Sequence, residues 1–204
     1  MEKATAIIFD LGGVILDIDY NLTRTAFEKL GVRNFDEMYS QSSADTLFRD
    51  LETGKIPEEN FYIELNKCTG LELSPFEIKQ AWCAMLLDFR EESLLLLNEL
   101  KPKYRLFLLS NTNYIHIPEF NKIYYTKKRD KPFAEFFETA YFSCEMGLRK
   151  PDAECYDRVL KKEKLTPGKT IFVDDSIQNV EGAKLAGMQT ILLAPGKYIE
   201  DLSF

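Results

Sequence analysis

Ala6 to Phe9 form an unbroken apolar run that ends in Asp10, with Gly12 and Gly13 close behind. A strand with no polar position has no face for water, so it is expected to be covered on both sides, as strands of parallel sheets are. Two later runs repeat the pattern. Leu106 to Leu109 leads into Ser110-Asn111-Thr112, and Ile171 to Val173 leads into Asp174-Asp175-Ser176. A weaker strand is expected at Thr139–Phe142 and a last one at Gln189–Leu193, with helical patterns over Glu92–Lys101, Asp152–Lys162 and Ile177–Leu185. Alternating strands and helices predict an α/β fold, a Rossmann-like doubly wound parallel sheet. Such sheets bind ligands at the carboxyl ends of their strands, where Asp10, Ser110, Asp174 and Asp175 fall.

The segment between the first strand and Arg90 carries no such run. Gly12 to Asp19 reads as irregular. Helices are expected over Asn21–Leu30, with Gly31 just past the end, and over Ala44–Leu51. Pro57 opens a third, carrying Phe61, Leu65 and Cys68, and Pro75 a fourth, carrying Ile78, Trp82, Met85, Leu86 and Phe89. Their apolar stripes are expected to pack on each other. Tyr114 to Pro132 is the least patterned stretch, and its Lys127-Lys128-Arg129 run reads as a solvated loop or a substrate rim.

Each strand end has a chemical and a plain reading. Asp10 is a nucleophile, a metal ligand or a turn acid. Ser110 and the amides after it offer hydrogen bonds to phosphate oxygens or close an ordinary turn. Pro151 fits the first turn of the Asp152–Lys162 helix; Lys150 before it points at an anion or belongs to a solvated basic pair. Two adjacent acids at a buried strand end are costly without a cation or hydrogen bonds. Helix capping by Asp175 or Ser176 accounts for one of them, not both. Hard oxygen ligands favour Mg²⁺.

In this order, Phe9-Asp10-Leu11-Gly12-Gly13-Val14, Ser110-Asn111-Thr112-Asn113, Gly147-Leu148-Arg149-Lys150-Pro151 and Asp174-Asp175, the motifs resemble those of the haloacid dehalogenase superfamily over nearly the whole chain. Their wording is similar to the bacterial α-glucose-1-phosphate phosphatase-like branch. The resemblance implies a core of residues 1–16 and 91–204 with the first strand central, and a helical cap of residues 17–90. It implies a Mg²⁺-dependent phosphatase acting on a small phosphorylated metabolite, a sugar phosphate among the candidates. Asp10 would form an aspartyl-phosphate. Asp10, the Gly12 carbonyl, Asp174 and Asp175 would hold the metal, and Leu11, Gly12, Ser110, Asn111 and Lys150 the phosphate. Members of the family commonly carry a second Asp two residues after the nucleophile as general acid; here that residue is Gly12. Asp17 or Asp19 at the cap entrance is the candidate substitute, although Asp19 also suits a helix N-cap. The alternatives are a haloacid dehalogenase-type hydrolase, which needs no metal, and a non-catalytic phosphometabolite-binding module.

Bulk properties narrow the field. At 204 residues, 45% hydrophobic and 29% charged, the chain suits a globular core plus an insertion. A net charge of −7 argues against nucleic-acid binding. No apolar run reaches membrane-spanning length, and Met1-Glu2-Lys3 does not open a signal peptide, so a cytoplasmic location is expected, as monomer or homodimer. Cys68, Cys83, Cys144 and Cys155 lack metal-like spacing and read as reduced, mostly buried thiols. His116 is the only histidine. It reads as a loop or surface residue, with substrate contact the other reading, and a Ser-His-acid triad is disfavoured.

Overall fold

The computed structural model describes residues 3–33, 35 and 42–204, with 42–45 described by backbone alone. Five parallel strands build the main sheet: β1 (Ala6–Phe9), β4 (Arg105–Ser110), β5 (Thr139–Phe142), β6 (Thr170–Asp174) and β7 (Gln189–Leu192). Their order is β5-β4-β1-β6-β7, so the Asp10 strand is central and the Ser110 and Asp174 strands flank it. The register pairs Phe9 with Leu108 on one side and with Val173 on the other. Asp10, Ser110 and Asp174 therefore emerge at neighbouring strand ends.

The uninterrupted apolar run has the expected cause. Ile7 and Phe9 face one cluster with Leu94, Leu97, Leu108 and Phe120, whereas Ala6 and Ile8 face another with Phe107, Tyr156, Val159 and Phe172. Side chains alternate across a strand, so both faces are dry. Covering helices include α5 (Glu91–Leu100), α6 (His116–Thr126), α8 (Ala153–Lys162) and α9 (Ile177–Leu185); a short α7 (Ser143–Met146) follows β5.

Residues inserted after β1 form α1 (Tyr20–Lys29), α2 (Ser42–Glu52), α3 (Glu58–Thr69) and α4 (Pro75–Cys83). Pro75 occupies the first turn of α4, and Ser74 and Glu77 form a capping box there. The stripes pack on each other, as anticipated: Phe27, Phe35, Phe48, Leu51, Phe61, Leu65, Ile78 and Trp82 share a buried cluster.

Four sequence expectations need correction. The Pro75 helix stops at Cys83, and Leu86–Phe89 is a strand, β3, antiparallel to β2 (Leu16–Ile18) within the piece read as irregular. Each strand alone is too short to signal itself, and its partner lies about seventy residues away. Tyr114–Pro132 contains α6, and Lys127 pairs with Asp88 (2.8 Å) while Arg129 pairs with Glu91, so two residues of the basic run are engaged. The third concerns Pro151, which follows a cis peptide bond and precedes rather than opens α8. Finally, His116 is buried, and the reason is its place under Trp82.

Candidate active site

Lys150 organises the strand ends. Its ammonium, 1% exposed, donates to Asp10 Oδ1 (2.6 Å) and to Asp174 Oδ2 (2.7 Å). A lysine so enclosed is tolerable only with charged partners, and here it has two. Asp10 and Asp174 hold its own acidity further down, keeping it protonated against the opposing effect of burial.

Its position is set through the backbone. The Asn111 side chain accepts from Lys150 N (2.9 Å) and donates to Lys150 O (2.8 Å), tying the Lys150 peptide to the end of β4. Asp174 is likewise occupied: Oδ1 accepts from Ser176 N (2.8 Å), and Asn179 Nδ2 donates to both of its oxygens (3.0 and 3.1 Å). These bonds tie Asp174 to the entry of α9, where Ser176 makes no side-chain cap bond.

Asp10 is the least comfortable group. Burial pushes its carboxyl up to about 7, Lys150 pulls it down, and Asp174 adds to the rise. A cation beside it would favour the ionised form. The donor set suits one: Asp10, Asp174 and Asp175 each offer a carboxylate oxygen, and these lie within 4.8 Å of one another. Three hard oxygens fit Mg²⁺. Gly13 lets the loop come this close, because at φ +73° it has the left-handed conformation and a Cβ there would overlap the Asp175 carboxylate.

A cavity of about 230 Å³ opens on these groups. Asp10, Leu11, Gly12, Ser110, Asn111, Lys150 and Asp175 line it, so the structure gathers the sequence candidates there, apart from the deeply buried Asp174 and the two acids at positions 17 and 19. Among the described residues, the Ser110 hydroxyl has no hydrogen-bond partner within the protein. Asp17 pairs with Arg90 Nε (2.8 Å), and Asp19 caps α1 by accepting from Asn21 N (2.9 Å). At Gly12, a Cβ would meet Ile18 Cδ1 at 3.1 Å, so β2 fills the space a side chain there would use.

Sequence reasoning missed Glu52 and Arg149 as lining residues and undervalued His116. Arg149 Nε and Glu52 Oε2 pair at 3.1 Å, joining α2 to the Lys150 loop. A signal for His116 does exist. Asn113 three residues earlier accepts from Ile115 N (3.0 Å) and His116 N (2.9 Å), the pattern of an Asx cap at a helix start.

A family model of haloacid dehalogenase-like hydrolases matches residues 4–187. The chain belongs to that family. It is 33% identical over 189 residues to a D-ribitol-5-phosphate phosphatase of Bacteroides thetaiotaomicron, covering 90% of this chain and 89% of that protein. It is 31% identical over 188 residues to a sesquiterpene phosphatase of Aspergillus oryzae, covering 90% and 86%. A HAD family enzyme of Bacteroides thetaiotaomicron, solved with magnesium and inorganic phosphate, superposes with a TM-score of 0.86 at 31% identity, over 95% of this chain and 96% of that one. This HAD-like hydrolase is thus matched over nine-tenths of its length by these relatives, and no described helix is long and apolar enough to cross a membrane.

Proposed function

We propose that this HAD-like hydrolase is a Mg²⁺-dependent phosphatase of a small phosphorylated metabolite, working through an aspartyl-phosphate on Asp10. The observation that carries this reading is the Lys150 ammonium held between Asp10 and Asp174 beside a third carboxylate, Asp175, at one cavity. The relatives that are phosphatases, and the magnesium–phosphate complex of one neighbour, support it.

The chemistry follows from charge. A phosphate monoester repels nucleophiles through its anionic oxygens, and catalysis rests on positive charge around them and in-line positioning. Asp10, Asp175, the Gly12 carbonyl and, indirectly, Asp174 would hold Mg²⁺, which would neutralise charge on the phosphoryl group and keep Asp10 ionised. A carboxylate oxygen of Asp10 attacks phosphorus as the ester P–O bond breaks, and the leaving oxygen takes a proton from solvent water. Water then cleaves the aspartyl-phosphate and regenerates Asp10. Ser110 Oγ and the backbone amides of Leu11 and Asn111 hold phosphate oxygens, and Lys150 supplies fixed positive charge. Asp174 is a positioning residue: it aims Lys150.

Residues 17–90 act as a cap over the core of 1–16 and 91–204, with the β2–β3 ribbon as the double crossing between them. Among the described acids, only Asp10, Glu52 and Asp175 line the cavity. Asp17 and Asp19 therefore do not line the cavity in this conformation, and Glu52 is the acid beside the Asp10–Asp175 pair that does. The test is a panel of phosphate esters assayed with and without Mg²⁺. Hydrolysis is expected to require the metal and to fall by at least ~10⁴-fold in Asp10→Asn, as losses of a covalent nucleophile do. Turnover by that variant at the wild-type rate would end the proposal, and undiminished activity in excess chelator would favour dehalogenase-type chemistry.

A further inference from the structure

His116 stands on the cavity wall with one ring nitrogen already committed. Nε2 lies 3.1 Å from the backbone oxygen of Trp82. A carbonyl only accepts, so Nε2 must carry the hydrogen. The ring is clamped as well, stacked on the Trp82 indole at 5.1 Å and 22°. Trp82 O is itself fixed, because Thr23 Oγ1 also donates to it (3.1 Å). Burial pushes the imidazole down to about 4, so it is neutral at physiological pH. The tautomer is then settled: Nδ1 is a bare acceptor. Among the described residues it has no hydrogen-bond partner, and it is not one of the unpartnered atoms sealed from solvent.

We propose that His116 Nδ1 accepts a hydrogen bond from a hydroxyl of the leaving group, which makes the preferred substrate a hydroxylated phosphate ester of polyol or sugar type. This rests on the phosphatase reading and deepens it. A lone pair repels phosphate oxygens, so His116 is not part of the phosphate cradle. It has nothing to accept from a hydrocarbon chain, so an apolar ester would leave it desolvated and unpaired. The rest of the wall is polar as well, with Gln178 and the Arg149–Glu52 pair among its residues. Two relatives with different substrates, a polyol phosphate and a sesquiterpene, frame the choice, and the acceptor favours the first kind.

The test crosses one substitution with one substrate atom. His116→Gln keeps an N–H within reach of Trp82 O and removes the acceptor at the Nδ1 position. Wild type and variant are assayed on a five-carbon polyol phosphate and on its mono-deoxy analogues. In wild type, one deoxy analogue is expected to lose roughly 10–100-fold in kcat/KM, the range for stranding a buried polar group. In His116→Gln that ratio is expected to collapse toward one. A purely structural role for His116 would lower both substrates together and leave the ratio intact, which overturns the inference. A wild type that does not distinguish any deoxy analogue overturns it too. Failure of the underlying reading looks different: no phosphate ester, hydroxylated or not, would be turned over.

Discussion

The floor and the roof of the cavity are built on opposite principles. The floor is charged and assembled from four separate chain segments, at Asp10, Ser110, Lys150 and Asp174–Asp175, each delivered by a strand end or a loop bound to one. The roof comes from one continuous segment, and its interior is aromatic: Phe48 stacks on Trp82 at 5.1 Å, and Phe61 packs against both. In the floor, geometry is set by sheet register and hydrogen bonds. In the roof it is set by side-chain volume. Substitutions in the floor should therefore disturb chemistry most, and those in the roof stability.

Lys150→Met should break that contrast most severely, because it injures both properties. It leaves two buried carboxylates facing one another, which is expected to cost about 3–5 kcal/mol of stability along with nearly all activity. The stability loss should shrink as pH is lowered, since the stranded carboxylates take up protons; denaturant titrations at several pH values check this. A loss independent of pH would mean the lysine matters through packing instead. Phe61→Ala probes the roof alone. Phe61 is fully buried, and truncation of such a ring costs roughly 3–5 kcal/mol. Phosphatase activity of the molecules still folded at low temperature should fall far less than in Asp10→Asn.

The seam between the two regions carries the smaller effects. His116 belongs to the floor's chain segment but binds the roof through Trp82. Its imidazole is held near 4 rather than at the ordinary 6.5. A group depressed in this way binds a proton more readily when unfolded, so stability is fully present above pH 6.5 and is lost as pH falls toward 4. The loss should reach about 2–3 kcal/mol, and His116→Gln should flatten the urea midpoint across that window. Arg49 and Asp152 also bridge the regions (2.8 Å), but both are about half exposed. Arg49→Ala should cost less than about 1 kcal/mol, a shift in melting temperature that disappears at high salt.

Much of the floor was legible from the chain. Apolar runs flanking Asp10, Ser110 and Asp174 announce strands buried on both faces, and strands of that kind have few arrangements open to them. The helices of the segment inserted after β1 were legible too, through Pro57, Pro75 and the periodic aromatics. What escaped was pairing at a distance. Leu16–Ile18 and Leu86–Phe89 become strands only because each supplies the other's hydrogen bonds. Tyr114–Pro132 hid a helix because its apolar residues, Ile117, Phe120 and Tyr124, are interleaved with Pro118 and charged residues.

The residue types, their order and the local periodicity were enough to establish the α/β class and to mark four motif positions at strand ends and one loop, because these depend on patterns short enough to survive in a linear chain. Three matters needed the folded molecule: that Asn111 spends its side chain on the Lys150 peptide, that Ile18 fills the space beside Gly12, and that His116 stands on the cavity wall with one nitrogen turned to Trp82 O. Each is a contact between segments remote in the chain. Its energy comes from burial and hydrogen-bond geometry that exist only once the sheet has brought those segments within a few ångströms.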